Sequence, residues 1–275
     1  MRRLQSLIAL WLLLCSPATV VAALSNTFQQ SGNLGLEVAA TAGGNTPITM
    51  GTLTLSLVPP GAVIVRATLH ASEVNNPLGL NCTFAGQSPG ALGPPASDAS
   101  FITMYEYSWN VTPYVIAGVP SYTFMIGQAV PASFQISAVA LVVVWRAPGE
   151  PYRTIAIFDG MQQVGESGPE TESISFGSLP AGPSTVWVVT AGDDSMSTGE
   201  TVDYNGGTIG GPLDKNLGFS ASLLQMNATS QSGTNTLAIN TGADHMGWMI
   251  GAVSVTTPAT PAISSSWGRI KSLYR

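Results

Sequence analysis

The chain has 275 residues, of which only 9% are charged. Between Leu24 and Thr260 four bases (Arg66, Arg146, Arg153 and Lys215) stand against fifteen acids, and this net charge of −11 excludes nucleic acid and anionic lipid as electrostatic partners while admitting a cation. Few Lys and Glu among many β-branched residues favour strands over helices, in a chain long enough for one large β-domain or two small ones.

Residues 1–22 read as an export signal, with Arg2 and Arg3 at the basic start, Leu7 to Leu14 as the apolar centre and Val20-Val21-Ala22 as the cleavage site. The apolar run is too short to span a bilayer and stops at Pro17. Cys15 follows Leu14 rather than a small residue, so the segment reads as a cleaved signal and not a lipid anchor. The mature chain is therefore expected outside the cytoplasm, secreted or at the cell surface, starting near Ala23 or Leu24 with no transmembrane span. Cys82 is then its only cysteine, which forbids an internal disulfide or a thiol metal site. It is expected to be a buried small hydrophobe rather than an intermolecular bridge.

Residues 52–57 alternate with period two and stop at Pro59-Pro60, and residues 62–72 follow with Val63, Val65, Ala67 and Leu69 on one face. Residues 75–99 read as a loop around a short strand at 81–85. Further strands are predicted at 101–107, 122–126, 136–145, 153–158, 173–176, 185–190, 201–204, 217–224, 236–239 and 245–256, with one helical turn at 112–117. From Ala138 to Trp145 the run is apolar without alternation, as in a strand buried on both faces. The Pro148-Gly-Glu-Pro151 connection predicts that residues 153–160 return antiparallel directly beside it, with Ile155 and Ile157 on one layer and Thr154 and Ala156 on the other.

About a dozen short strands without a fixed repeat define an all-β fold, an antiparallel β-sandwich or jelly-roll-like domain over residues 23–256. Residues 257–262 form a Pro-spaced linker, and 263–275 a basic-aromatic tail. In the tail, Trp267, Ile270 and Tyr274 would share one face of a short helix capped by Ser266. The tail is either a docked helix or a sorting tag, and it resembles short C-terminal tags on secreted bacterial proteins.

Four motifs, in order over residues 52–256, carry a further resemblance. They are Leu57-Val-Pro-Pro-Gly-Ala-Val-Ile-Val-Arg-Ala-Thr-Leu-His70, Tyr107-Ser-Trp-Asn-Val-Thr-Pro-Tyr-Val115, Tyr152-Arg-Thr-Ile-Ala-Ile-Phe-Asp-Gly160, and Gly192-Asp-Asp followed by Thr198-Gly-Glu and Tyr204-Asn-Gly. Together they resemble an uncharacterised β-rich domain of bacterial and archaeal secreted and cell-surface, adhesin-like proteins. Asn110 and Glu200 stand where that family has Asp, and His70 where a Tyr-Trp pair is usual. The resemblance implies export and a β-sandwich, and brings no reaction.

His70 and His245 are the only histidines, no Gly-x-Ser-x-Gly elbow accompanies them, and Asp244 and His245 point to opposite faces of a strand. The pattern thus offers little for a Ser-His-Asp or zinc site. Paired carboxylates suit a glycosidase better, and Asp159 with Asp193 or Asp194 would converge at one rim, although Asp159-Gly160 is also a turn signal. Residues 192–214 hold five acids and Asn205 among six glycines, the oxygen donors calcium needs, without EF-hand spacing. Asp193, Asp194, Glu200 and Asp203 are the candidate calcium ligands, against a plain solvated acidic loop. Tyr107 and Trp109 are the candidate ligand-stacking residues, against core packing, whereas Trp145, Trp187 and Trp248 read as core.

The chain therefore reads as an exported, non-catalytic surface, appendage or matrix protein whose partners are envelope or extracellular proteins, or glycans. The alternatives are a calcium-dependent glycan-binding module and a carboxylate-pair hydrolase.

Overall fold

The computed structural model describes residues 23–42, 48–74, 80–128, 135–165, 169–192, 199–213, 222–242 and 245–257. The export segment, the linker beyond residue 257 and the tail lie outside the described residues. Among those described, no helix is long and apolar enough to cross a membrane.

Sixteen strands are described, against the dozen expected. The first half of the chain holds β1 (Ser25–Ala42), β2 (Met50–Thr54), β3 (Val63–Val74), β4 (Leu80–Phe84), β5 (Ala96–Asp98), β6 (Met104–Asn110), β7 (Ser121–Gln128) and β8 (Gln135–Arg146). A 3-10 turn at Thr112–Tyr114 occupies the predicted helical turn. The second half holds β9 (Tyr152–Gly165), β10 (Thr171–Leu179), β11 (Gly182–Ala191), β12 (Thr201–Tyr204), β13 (Gly207–Gly210), β14 (Leu223–Ser230), β15 (Gly233–Asn240) and β16 (His245–Thr256). All strand pairs are antiparallel, so the fold is all-β as expected.

The sheets stack as four layers with three apolar cores between them. A three-stranded sheet, β2-β7-β4, covers one face of the β8-β3-β6 region through Leu53, Phe84, Phe124, Leu69 and Leu141. A four-stranded sheet, β10-β15-β12-β13, covers one face of the β11-β16-β9 region through Phe176, Leu237, Trp248 and Val253. The two inner regions pack on each other through Val142, Val144, Ile155, Ile157 and Ile250. The architecture is two β-sandwiches back to back.

One strand joins them. Residues 25–33 of β1 pair with β9, from Ser25 opposite Asp159 to Asn33 opposite Tyr152. Residues 34–42 pair with β8, from Leu34 opposite Arg146 to Ala42 opposite Ala138. This corrects the expected hairpin: β8 and β9 share a nine-stranded sheet, but β1 lies between them. The physical reason sits at the corner, where Pro148 and Pro151 have no N–H to continue a ladder. The polar groups there turn to β1 instead: Arg153 donates to the Leu34 carbonyl (2.7 Å) and Asn33 Nδ2 to the Glu150 carbonyl (2.7 Å).

The facing of both strands follows the sequence. In β8, Ala138, Ala140, Val142 and Val144 enter the central core while Val139, Leu141, Val143 and Trp145 enter the core under the three-stranded sheet. In β9, Ile155 and Ile157 face the central core and Ala156 the opposite one. β3 departs from its expected face, because a bulge between Ile64 and Arg66 puts Val65 against the central core while Ala67 and Leu69 enter the outer one.

Cys82 is buried in the core under the three-stranded sheet, and burial pushes its thiol up to about 12. A thiol reagent at about pH 8 is expected to leave the native protein unlabelled and to label it fully in denaturant. Rapid stoichiometric labelling of folded protein would refute this placement.

Candidate functional site

At the start of β1, a cavity of about 670 Å³ opens between the middle of β9 and the β3–β6 pair. Alternation supplies its floor. Along β6, Tyr105, Tyr107 and Trp109 turn toward the core under the three-stranded sheet, whereas Glu106, Ser108 and Asn110 line the cavity. The β3 bulge brings both Val65 and Arg66 to the wall, and β1 adds Ser25, Thr27 and Phe28. β9 delivers Asp159, with the following Gly160 at φ +143°.

One ion pair and one buried hydrogen-bonded pair meet at this cavity. Arg66 Nη2 lies 3.3 Å from Asp159 Oδ2, which also accepts from Thr27 Oγ1 at 2.6 Å. The same guanidinium donates to Thr68 Oγ1 (3.0 Å), to Thr27 Oγ1 (3.2 Å) and to the Thr27 carbonyl, and sits 5.9 Å from the Phe28 ring centroid. Burial lowers the Arg66 pKa while Asp159 opposes that shift, and the group stays cationic. The second pair is His70 Nδ1 and Glu106 Oε1 at 2.7 Å, both side chains nearly sealed from solvent. Burial pushes the Glu106 carboxyl above its ordinary value; the His70 bond opposes this and the Asp159 charge adds to it.

Asp159 is thus a site residue and shares the cavity with Glu106; Asp193 and Asp194, its expected partners, lie outside the described residues. The calcium set is not brought together in its described half. Glu200 is buried and accepts from Leu213 N at 2.8 Å, while Asp203, half-exposed, accepts from Thr208 Oγ1 at 2.7 Å. Three positions apart at a strand, they fall on opposite faces: Glu200 shares parity with buried Val202 and Tyr204, and Asp203 with half-exposed Thr201. Among the described residues, no group of three or more His, Cys, Asp or Glu side chains is placed to hold a metal.

Tyr107 and Trp109 are corrected as an open stacking platform. Both are buried, their rings stacked on each other with centroids 6.2 Å apart, because their face of β6 is the one covered by the three-stranded sheet. Sequence reasoning missed Glu106, Ser108 and Asn110 on the other face of that strand; the signal was the single acid at Glu106 between two tyrosines. His245 lies elsewhere, with Nε2 2.8 Å from Gln163 Oε1, while Gln163 donates from its backbone N and Nε2 to Asp98 at 2.8 and 3.2 Å.

Neither a protein-family model nor a curated protein matches the chain. Among solved structures, it is similar at 12% identity and a TM-score of 0.32 to a β-porphyranase of glycoside hydrolase family 86 from the human gut bacterium Bacteroides plebeius, over 88% of this chain and 38% of that one. It is also similar, at 9% identity and a TM-score of 0.31, to a conserved protein of unknown function from Pseudomonas aeruginosa PAO1, over 87% of this chain and 96% of that one. A third, at 13% identity and a TM-score of 0.26, is the subviral particle protein of infectious bursal disease virus, over 90% of this chain and 78% of that one. Likenesses this distant carry no argument about activity.

Proposed function

We propose that this chain is an exported, non-catalytic β-sandwich protein of the cell surface, an appendage or the extracellular matrix, which acts by binding. The observation that carries the reading is the state of the cavity's charges. Asp159 is held by Arg66 and Thr27, and Glu106 by His70. What the cavity offers beyond those pairs is hydroxyl, amide and apolar surface, the composition of a recognition pocket. The apolar centre and small-residue cleavage site of residues 1–22 support export. Fractionation of the native host should recover the protein outside the cytoplasm with an N-terminus near Ala23; intact Met1 chains in the cytoplasm would sink the surface reading.

A second reading rests on one specific observation. Glu106 and Asp159 share a cavity in unlike environments, one pushed up by burial and one held against a guanidinium, which is how an acid and its partner carboxylate are set apart in glycosidases. Incubation with neutral polysaccharides should release no reducing ends if the protein only binds. Release that is abolished by both Glu106→Gln and Asp159→Asn would establish the hydrolase instead.

A further inference from the structure

We infer that the cavity at the start of β1 is a binding site for a neutral, polyhydroxylated ligand, a short oligosaccharide of uncharged sugars. The inference rests on the binding reading above and names its ligand class.

The charges exclude the alternatives. An anionic ligand needs an available cation, and Arg66 is already directed to Thr27, Thr68 and Asp159, in a cavity also lined by the Glu106 carboxyl. A cationic ligand needs an available carboxylate, yet Asp159 is bound to Arg66 and Thr27 and Glu106 is held by His70 and disfavoured as an anion by burial.

The neutral groups are the ones left open. Ser25 and Ser108 line the cavity and, among the described residues, their hydroxyls make no hydrogen bond to the protein. Asn110 uses its Oδ1 to accept from Thr112 N at 3.0 Å, so its amide nitrogen remains a donor at the mouth. Both hydroxyls donate and accept, as sugar hydroxyls do, so each matches either role. Phe28 and half-exposed Leu92 add apolar wall against which the C–H faces of a pyranose pack. A volume of about 670 Å³ lies within the size range of small-molecule pockets.

The test is a glycan array carrying neutral and acidic oligosaccharides, probed with the full mature chain, followed by calorimetry on the best-bound sugar with and without chelator. A neutral oligosaccharide is expected to bind, with the chelator changing nothing. The double variant Ser108→Ala/Asn110→Ala should weaken it by about tenfold or more, the loss of one or two hydrogen bonds. Leu92→Arg, at an exposed position on the mouth, should block it, and Thr52→Ala on the far sheet should leave it unchanged. Equal melting temperatures for these variants exclude misfolding as the cause. Preference for acidic sugars, absence of any neutral binder on the array, or neutral binding untouched by both cavity variants would overturn the inference. In the last case the adhesive reading survives with its ligand elsewhere, whereas cleavage of a cavity-bound sugar would retain the site and remove only the non-catalytic reading.

Discussion

Replacing Gly35 with alanine is expected to destabilise the protein by about 1–3 kcal/mol, the usual penalty for overpacking. Gly35 lies directly opposite Trp145 in the β1–β8 pair, and a Cβ there would stand 2.1 Å from the indole Cε2 and 2.2 Å from Cζ2. The indole is held where it is. It is buried, and its Nε1 donates to Glu150 Oε1 at 3.1 Å, while Glu150 Oε2 accepts from Arg153 at 2.6 Å. Arg153 in turn holds the Leu34 carbonyl, at the point where β1 leaves β9 for β8. A displaced Trp145 would therefore loosen the joint between the sandwiches as well as one core. Denaturant midpoints and tryptophan fluorescence measure the effect. Trp145→Leu should cost stability alone yet recover part of the loss in the Gly35→Ala background, with a coupling of about 0.5–3 kcal/mol. An unchanged midpoint for Gly35→Ala, or strict additivity with Trp145→Leu, would refute this contact.

The same glycine shows why the connecting strand was hard to read. β8 is legible because a run of apolar residues without alternation has no other economical home than a strand covered on both faces. β1 lacks such a signal. Residues 25–33 contain Phe28 as their only large apolar side chain, and Gly32 and Gly35 read as breakers. Leu34, Leu36 and Val38 do alternate, and all three enter the central core. Gly35, between the first two, is there for the indole above it rather than for a turn. The hairpin expected of β8 and β9 failed for a related reason: a short connection argues for local pairing, but β1 comes from more than a hundred residues away and its partners are set by tertiary packing.

The site was legible at one acid and illegible across the strand, and even that acid sits inside β9, which runs on to Gly165 past the Asp159-Gly160 turn signal. Asp159 stands out as an acid closing an apolar run, and the structure places it in the cavity. Glu106 does not stand out beside Tyr105, Tyr107 and Trp109, because the aromatic residues draw the eye to the face that the three-stranded sheet covers. A period of two then sends the functional groups to the other face, one position away. Arg66 was hidden differently. The bulge at Val65 adds one residue to β3, a change that counting alternation from Val63 to Leu69 cannot detect.

Raising the pH from about 4 is expected to weaken the native state through Glu106, and Glu106→Gln is expected to remove that weakening. The sign follows from burial. Desolvation lifts the folded pKa of Glu106 above its unfolded value, with Asp159 adding to the rise and the His70 bond opposing it. Between the two values the unfolded chain has lost this proton and the folded chain keeps it. The contribution is therefore fully present below the unfolded pKa of about 4.3 and declines by up to about 1.4 kcal/mol per pH unit until the folded value is passed. Glutamine cannot ionise, yet it keeps the shape and an amide that can accept from or donate to His70 Nδ1 in either tautomer. The stability of Glu106→Gln relative to the native sequence should then grow with pH and level off where Glu106 titrates in the folded state. His70→Asn should move that plateau to higher pH, since it removes the imidazole whose hydrogen bond and charge oppose the rise. Urea midpoints across about pH 4 to 9 decide the matter. Parallel profiles for the native sequence and Glu106→Gln would mean that the carboxyl is already ionised when folded, and that His70 rather than burial sets its charge.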